Sequence, residues 1–276
     1  MELQSQLTEL NRRGLGLAAI SYDSPAVLAD FARRRGITFP LLSDPGSTTI
    51  NAYGLLNTTV EPGSPAAGVP FPGTFVVDRT GRVTNRFFED AYQERYTVAG
   101  ILLKTGQAVA RSATETTTSH ITLKAFATDT SAVTGRHVSL VVDVAPNLGI
   151  HLYAPGAKGY RVIALTIDDS PGVVAGETVY PPSEPFRFVP LNETMPVFKR
   201  PFRLVRDVLF QKLPLPAAGT EATAAMAATL TIRGHLEYQA CNDTLCFNPV
   251  SVPLSWTFVI DALDRERSAV GRGPQK

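Results

Sequence analysis

The sequence predicts a two-domain chain, an α/β domain followed by an all-β sandwich. Three observations carry that prediction. Helix-period segments and short apolar runs alternate as far as about residue 105. From His120 onward, six or more short β-type runs are separated by Pro/Gly turns, with little helical pattern between them. Between the two lies Gly106 to Ser119, rich in Thr, Ser and Ala and lacking an apolar face. That stretch reads as a linker (106–119) or as an extended strand leading into the second domain. The domains are accordingly placed at 1–105 and 120–262, with a disordered tail at 263–276.

Composition bounds the function. The 276 residues are 44% hydrophobic and 18% charged, enough apolar matter for two cores. A formal net charge of +1, with no basic cluster interleaved with aromatics, argues against a nucleic-acid partner. Arg33-Arg34-Arg35 reads as a solvated helix end. No run approaches 18 apolar residues, so no transmembrane segment is expected. Met1-Glu2-Leu3-Gln4-Ser5 lacks the charged and apolar regions of a secretory leader.

In the first domain, Leu3, Leu7 and Leu10 share one helical face. Leu15 to Ser21 is a continuous apolar run suited to a strand buried on both faces. Ser24-Pro25 is a helix start, with Ser24 as N-cap and Pro25 in the first turn, and Gly36 ends that helix. Phe39 to Leu42 is a second short strand, Asp44-Pro45-Gly46 a turn, and Ile50 to Tyr53 a further helix. Thr74 to Asp78 and Val83 to Phe88 form a hairpin-like pair, and Tyr92 to Leu103 a closing helix.

Helices alternating with strands, then a hairpin and a last helix, follow the order of a thioredoxin-like sheet. Ala19-Ile20-Ser21-Tyr22-Asp23, Phe39-Pro40-Leu41-Leu42-Ser43-Asp44 and Pro72-Gly73-Thr74-Phe75-Val76-Val77-Asp78 resemble the redoxin family, the alkyl hydroperoxide reductase/thiol-specific antioxidant branch. That resemblance implies a reactive cysteine at the start of the first long helix, where the helix N-terminus lowers a thiol pKa. Residues 1–240 contain no cysteine. The resemblance therefore describes a thioredoxin-like domain truncated at its N-terminus, without peroxidase chemistry. It also places Pro72 at the superfamily's cis-proline position, as a vestige of the ancestral site.

In the second domain, the β-type runs are Ile121 to Phe126, His137 to Val144, Arg161 to Ile167, Phe202 to Val205, Ala228 to Tyr238 and Val250 to Ile260. Together they suggest an antiparallel sandwich. Glu221 to Ala228, rich in alanine, reads as a loop.

The only two cysteines, Cys241 and Cys246, lie between the last two runs. Asn242-Asp243-Thr244 is turn-forming, so the pair can meet. Taken alone, the pair allows a structural staple, a metal site or a redox centre. A six-residue ring removes little unfolded-state entropy, about 2 kcal/mol, a weak staple for a domain of this size. As an exchangeable pair it is better placed, because short strained loops are more readily reduced. A zinc site with His235 lacks a fourth ligand at ordinary spacing. Asp243 beside the pair disfavours a thiolate. His151 reads as a packed strand residue rather than a base.

His151-Leu152-Tyr153-Ala154-Pro155-Gly156, Tyr180-Pro181-Pro182-Ser183, Pro196-Val197-Phe198 and Tyr238-Gln239-Ala240-Cys241…Cys246-Phe247-Asn248-Pro249 resemble the N-terminal periplasmic domain of the thiol:disulfide interchange protein DsbD. The resemblance implies an immunoglobulin-like sandwich whose redox pair is Cys241 and Cys246. It implies a cap over the pair from Glu193 to Lys199, with Phe198 as aromatic lid and Val197 and Phe247 beside it. It further implies exchange with thioredoxin-like partners, a membrane electron donor, a periplasmic or extracytoplasmic location, and no cofactor. Phe247-Asn248-Pro249 departs from the family's frequent Pro-Pro pair, which touches a turn and not the chemistry. The alternatives are a non-catalytic scaffold with a structural disulfide, or a fragment of a redoxin-type thiol peroxidase fusion.

Overall fold

The computed structural model describes residues 2–61, 63–64, 68–88, 94–107, 109, 111–188, 193–213 and 228–261. Two expectations from the sequence, the loop at Glu221 to Ala228 (all but its last residue) and the tail, lie outside these residues. The chain divides into two compact units at Ile101/Leu102.

The first unit begins with α1 (Glu2–Ser5) and α2 (Leu7–Arg12), followed by β1 (Ala19–Ser21), α3 (Pro25–Arg35), β2 (Leu41–Ser43) and α4 (Thr48–Ala52). Local chemistry sets these boundaries. The Ser24 hydroxyl accepts from Val27 N at the start of α3, and Gly36 ends it in the left-handed region at φ 60°. The Asp44 carboxylate accepts from the backbone N–H groups of Thr48 (3.0 Å) and Ile50 (2.9 Å), which fixes the first turn of α4. β3 (Gly73–Val77) and β4 (Val83–Phe88) form the expected hairpin, closed by Asp78, whose carboxylate accepts from Thr80 N and Arg82 N. At Gly73 a Cβ would lie 2.6 Å from the Phe88 ring, so a larger residue there would force that ring to shift.

β1 and β2 pair in parallel, and β3 and β4 pair antiparallel, as two separate sheets. Among the described residues no strand joins them. Ile20, expected to be buried on both sides, stays 45% exposed, and its partner Leu42 stays 51% exposed. The cis expectation for Pro72 is corrected: its peptide bond is trans, as all are among the described residues. Trans is the favoured X-Pro isomer wherever packing does not select the other, and this unit carries no cysteine for Pro72 to face. The closing helix is shorter than expected. β5 (Arg95–Tyr96) precedes α5 (Val98–Lys104), which starts where the Thr97 hydroxyl accepts from Gly100 N.

The second unit contains β6 (Thr114–Thr117), β7 (Ile121–Ala127), β8 (Ser131–Ala132), β9 (Arg136–Pro146), β10 (His151–Tyr153), β11 (Ala164–Ile167), β12 (Val173–Val179), β13 (Glu184–Phe188), β14 (Glu193–Phe198), β15 (Phe202–Phe210), β16 (Thr229–Tyr238), β17 (Ala240–Cys241) and β18 (Val250–Ile260). β6 lies in the stretch read as a linker or leading strand and takes the second form, paired with β7.

Two sheets face each other, one ordered β12-β15-β9-β7-β6 and the other β11-β16-β18-β8. Their inner residues make one core that includes Ile121, Leu123, Val142, Leu204, Ile232, Leu236, Trp256 and Phe258. β18 shows why the sequence folds this way. Val252, Leu254, Trp256 and Phe258 are buried while Ser251, Pro253, Ser255 and Thr257 are exposed, the period-2 signature of a strand with one wet face. β9 is buried on both faces because Val141, pointing away from the main core, is covered with Phe126 by Leu103. A third sheet, β13-β14-β10-β17, packs Leu152, Phe198 and Ala240 on the main core and carries Cys241, to which Cys246 is joined by an isolated bridge. No helix among the described residues is long and apolar enough to cross a membrane.

Candidate functional site

β10 is the axis of the site. On one side it pairs antiparallel with β17, His151 opposite Cys241 and Leu152 opposite Ala240. On the other it pairs with β14, Leu152 opposite Phe198 and Tyr153 opposite Val197. Side chains alternate across a strand, so Leu152, Phe198 and Ala240 share one face and His151, Tyr153, Val197 and Cys241 the other. The first set packs into the main core. On the second face, Tyr153, Val197 and Cys241 form a separate apolar cluster, with Ala157, Tyr160, Phe186 and Met195 packed against it. Phe186 lies opposite Met195 on the neighbouring β13–β14 pair, which extends the same face.

Cys241 and Cys246 form a disulfide. The turn between them is built by its own backbone and by Asn242. Asn242 N donates to Leu245 O (2.9 Å) and Phe247 N to Ala240 O (2.8 Å). The Asn242 side-chain oxygen accepts from the backbone N–H groups of Thr244 (2.9 Å) and Leu245 (2.7 Å). Gln239 holds the base of the loop, donating to Phe247 O and accepting from Arg161 N, both at 3.1 Å.

The two sulfurs sit in different surroundings. Cys241 is 1% exposed, whereas Cys246 is open to solvent. The Tyr153 hydroxyl is 3.5 Å from both sulfur atoms. A disulfide sulfur carries no hydrogen, so the hydroxyl is the donor. Tyr160 stacks on the Tyr153 ring at 4.1 Å and donates its own hydroxyl to the Glu193 carboxylate at 3.4 Å. Burial, with Tyr160 adding to it, pushes the Tyr153 phenol well above its usual pKa, so it stays a neutral donor.

His151 is 2% exposed, with its ring 4.3 Å from that of Phe186 and edge-on to Tyr153 at 5.7 Å. Its Nε2 is buried without a hydrogen-bond partner. Desolvation lowers its pKa, Lys199 lowers it further and Asp243 opposes both. Lys199 lies 4.0 Å above the Phe186 ring.

The structure redistributes the expected cap. Val197 belongs to the cluster around Cys241. Phe198, expected as the lid, points the other way and stacks on Phe202 at 4.1 Å within the core. Its segment is a strand, and adjacent residues of a strand face opposite sides. Phe247 also packs on the core, 4.4 Å from the His120 ring. Met195, inside the expected cap, packs beside the disulfide, and the cover that sequence reasoning did not single out is Tyr153, Tyr160 and Phe186. Period-2 spacing links Tyr153 to His151 and Met195 to Val197, but it selects a face only after β10 is placed beside Cys241. Pro72 lies in the first unit, and no redox group accompanies it there.

Comparison with known proteins finds relatives of two kinds. A Mycobacterium tuberculosis peroxiredoxin is 37% identical over 82 residues, covering 30% of this chain and 52% of its own length. Alkyl hydroperoxide reductase E of Mycobacterium tuberculosis is 38% identical over 90 residues, covering 32% of this chain and 53% of its own length. The chain thus spans about half the length of the curated relatives it matches. Among crystal structures, the N-terminal periplasmic domain of ScsB from Proteus mirabilis aligns at 14% identity and a TM-score of 0.36, over 54% of this chain and 52% of that one. The reduced Neisseria meningitidis DsbD N-terminal domain aligns at 14% identity and a TM-score of 0.28, over 44% of this chain and 81% of that one. At family level, residues 1–86 match the AhpC/TSA family and residues 121–252 match the N-terminal domain of thiol:disulfide interchange protein DsbD, so this chain joins a redoxin-type region to a DsbD N-terminal-type region.

Proposed function

We propose that this chain is a protein thiol–disulfide oxidoreductase that works through Cys241 and Cys246 with thioredoxin-like partners. The observation that carries the reading is the asymmetry of the pair, one sulfur exposed and one buried, with a single neutral hydroxyl at 3.5 Å from both. A partner thiolate attacks the accessible Cys246 sulfur in line with the disulfide. The Cys241–Cys246 bond breaks, its electron pair goes to Cys241, and a partner–Cys246 mixed disulfide forms. The Tyr153 hydroxyl then donates to the Cys241 thiolate. A second partner thiolate attacks the mixed disulfide and releases the dithiol form. In the opposite direction, Cys246 attacks a partner disulfide and Cys241 resolves it.

The match to the DsbD N-terminal family supports this reading, together with an immunoglobulin-like type for the sandwich, a periplasmic or extracytoplasmic setting and an electron donor at the membrane. Residues 1–240, which include the redoxin-type region, hold no cysteine, so the proposed exchange rests on Cys241 and Cys246.

Trapping tests the reading. Cys241→Ser leaves the accessible thiol without its resolving partner, and a stable mixed disulfide with an oxidised thioredoxin-like protein is expected at Cys246. Burial of Cys241 favours one competing reading, a structural staple. On that reading no mixed disulfide forms, the reduction potential lies below about −300 mV, and reduction unfolds the chain.

A further inference from the structure

Resting on the exchange reading, we propose that His151 is the base that deprotonates Cys241 when that thiol resolves a mixed disulfide held on Cys246. Four observations converge on it. His151 and Cys241 are directly opposed in the β10–β17 register, which puts their Cβ atoms about 4.5–5.5 Å apart on one face. Both are buried, at 2% and 1% exposure. The His151 Nε2 has no hydrogen-bond partner, and leaving a buried polar atom unpaired is costly. The disulfide supplies no donor, but reduction creates an S–H on the residue across the ladder.

With its ring proton on Nδ1, His151 presents Nε2 as an acceptor. In the dithiol form the Cys241 S–H donates to it. Once Cys246 is joined to a partner sulfur, Nε2 takes the Cys241 proton and the Cys241 thiolate attacks the Cys246 sulfur. The Cys246–partner bond breaks, the partner leaves as a thiolate with that electron pair, and the imidazolium returns its proton to solvent. The charged groups around the ring are Lys199 from the end of β14 and Asp243 from the cysteine turn, with neutral Tyr153 beside it on β10 and Phe186 facing it from β13. Burial, with Lys199 adding to it and Asp243 opposing, lowers the imidazole pKa and favours the neutral form a base requires.

Without such a base, Cys241 reacts through the few per cent of thiolate that an ordinary thiol holds at pH 7, about 3% for a pKa of about 8.5. For an ordinary thiol, full deprotonation by His151 is therefore worth about thirtyfold. The test uses the full reduced chain and glutathione disulfide, followed by quenched-flow mass spectrometry. In wild type the glutathione adduct on Cys246 forms and resolves. In His151→Gln and His151→Phe the adduct is expected to form at an unchanged rate and resolve about tenfold more slowly at pH 7. The wild-type resolution rate should level off above the imidazole pKa, whereas the variants' rate climbs about tenfold per pH unit toward the thiol pKa. Resolution at wild-type rate in a folded variant overturns the proposal. So does a wild-type rate rising with unit slope from about pH 6 to about pH 8.5, a measurement that needs no variant. Failure of the wild-type pair to react with glutathione disulfide at all defeats the exchange reading instead.

Discussion

Replacing Tyr153 with Phe removes one oxygen atom and little else. The ring keeps its stack on Tyr160 at 4.1 Å and its place in the cluster with Val197 and Cys241. What disappears is the hydroxyl that lies 3.5 Å from each sulfur. In the disulfide state that contact is weak, because neutral sulfur is a poor acceptor. When the bond opens, Cys241 becomes a buried thiolate, and a hydrogen bond to a charged group is worth about 1.5–3 kcal/mol. Tyr153 is 4% exposed, so solvent screening takes little from that figure. If about half the charge has developed at the transition state, as the Brønsted slopes of thiol exchange indicate, the barrier rises by about 0.7–1.5 kcal/mol. Reduction by dithiothreitol should then slow by about three- to tenfold. Stopped-flow kinetics at several pH values measure this, with thermal unfolding as a check that Tyr153→Phe leaves the fold intact. A rate within twofold of wild type in a folded protein refutes the role given to the hydroxyl.

Other outcomes follow from the same geometry. Phe198→Ala empties a core site stacked on Phe202 and should cost about 3–5 kcal/mol in denaturant unfolding, with no selective gain in disulfide reactivity. Phe186→Ala, on the cysteine face, should instead speed reduction by dithiothreitol several-fold with a smaller loss of stability. Gly234→Ala drives a Cβ into the Thr166 carbonyl oxygen of the paired strand and toward Ile167. The expected loss is about 1–3 kcal/mol, a drop of several degrees in Tm. The folded-state pKa of His151 is lowered, so below the unfolded value of about 6.5 the unfolded chain binds the extra proton. The stability it sustains is whole above about pH 6.5 and lost as pH falls through the folded pKa; His151→Gln should flatten that acid limb in thermal melts.

The sandwich was legible where one face is wet. The buried residues from Val252 to Phe258 alternate with exposed Pro253, Ser255 and Thr257, and the β16 and β18 boundaries fall within a residue of expectation. Legibility failed in the third sheet for a physical reason. β13 and β14 belong to a sheet with the main core on one face and the cysteine cluster on the other. Met195, Val197 and Phe198 are therefore all apolar, and no alternation reports which one faces the disulfide. Proline at 185 and 196 also reads as loop, yet both positions lie within strands and pair with each other. In the first unit the Ser24 cap and the Asp78 hairpin were written locally and came out where expected, whereas Asp44, read only as part of a turn, also caps α4. Burial of Ile20 was not written locally, because covering that side chain depends on strands distant in sequence.

The same two-sided packing bears on why the cysteines sit where they do. A staple gains most by joining segments distant in sequence, yet this pair closes a loop already held by two backbone hydrogen bonds and the Asn242 side chain. Those bonds predict that the loop keeps its shape with the disulfide open. Opening therefore needs only a local change at Cys246, while Cys241 stays seated against Tyr153 and opposite His151. A pair whose scaffold survives reduction can cycle without refolding. That property separates an exchange centre from a structural bond, and hydrogen exchange at Asn242 and Phe247 reports it directly. Protection of both amides should persist in the dithiol form if the loop is pre-built, and collapse if the disulfide is what holds it.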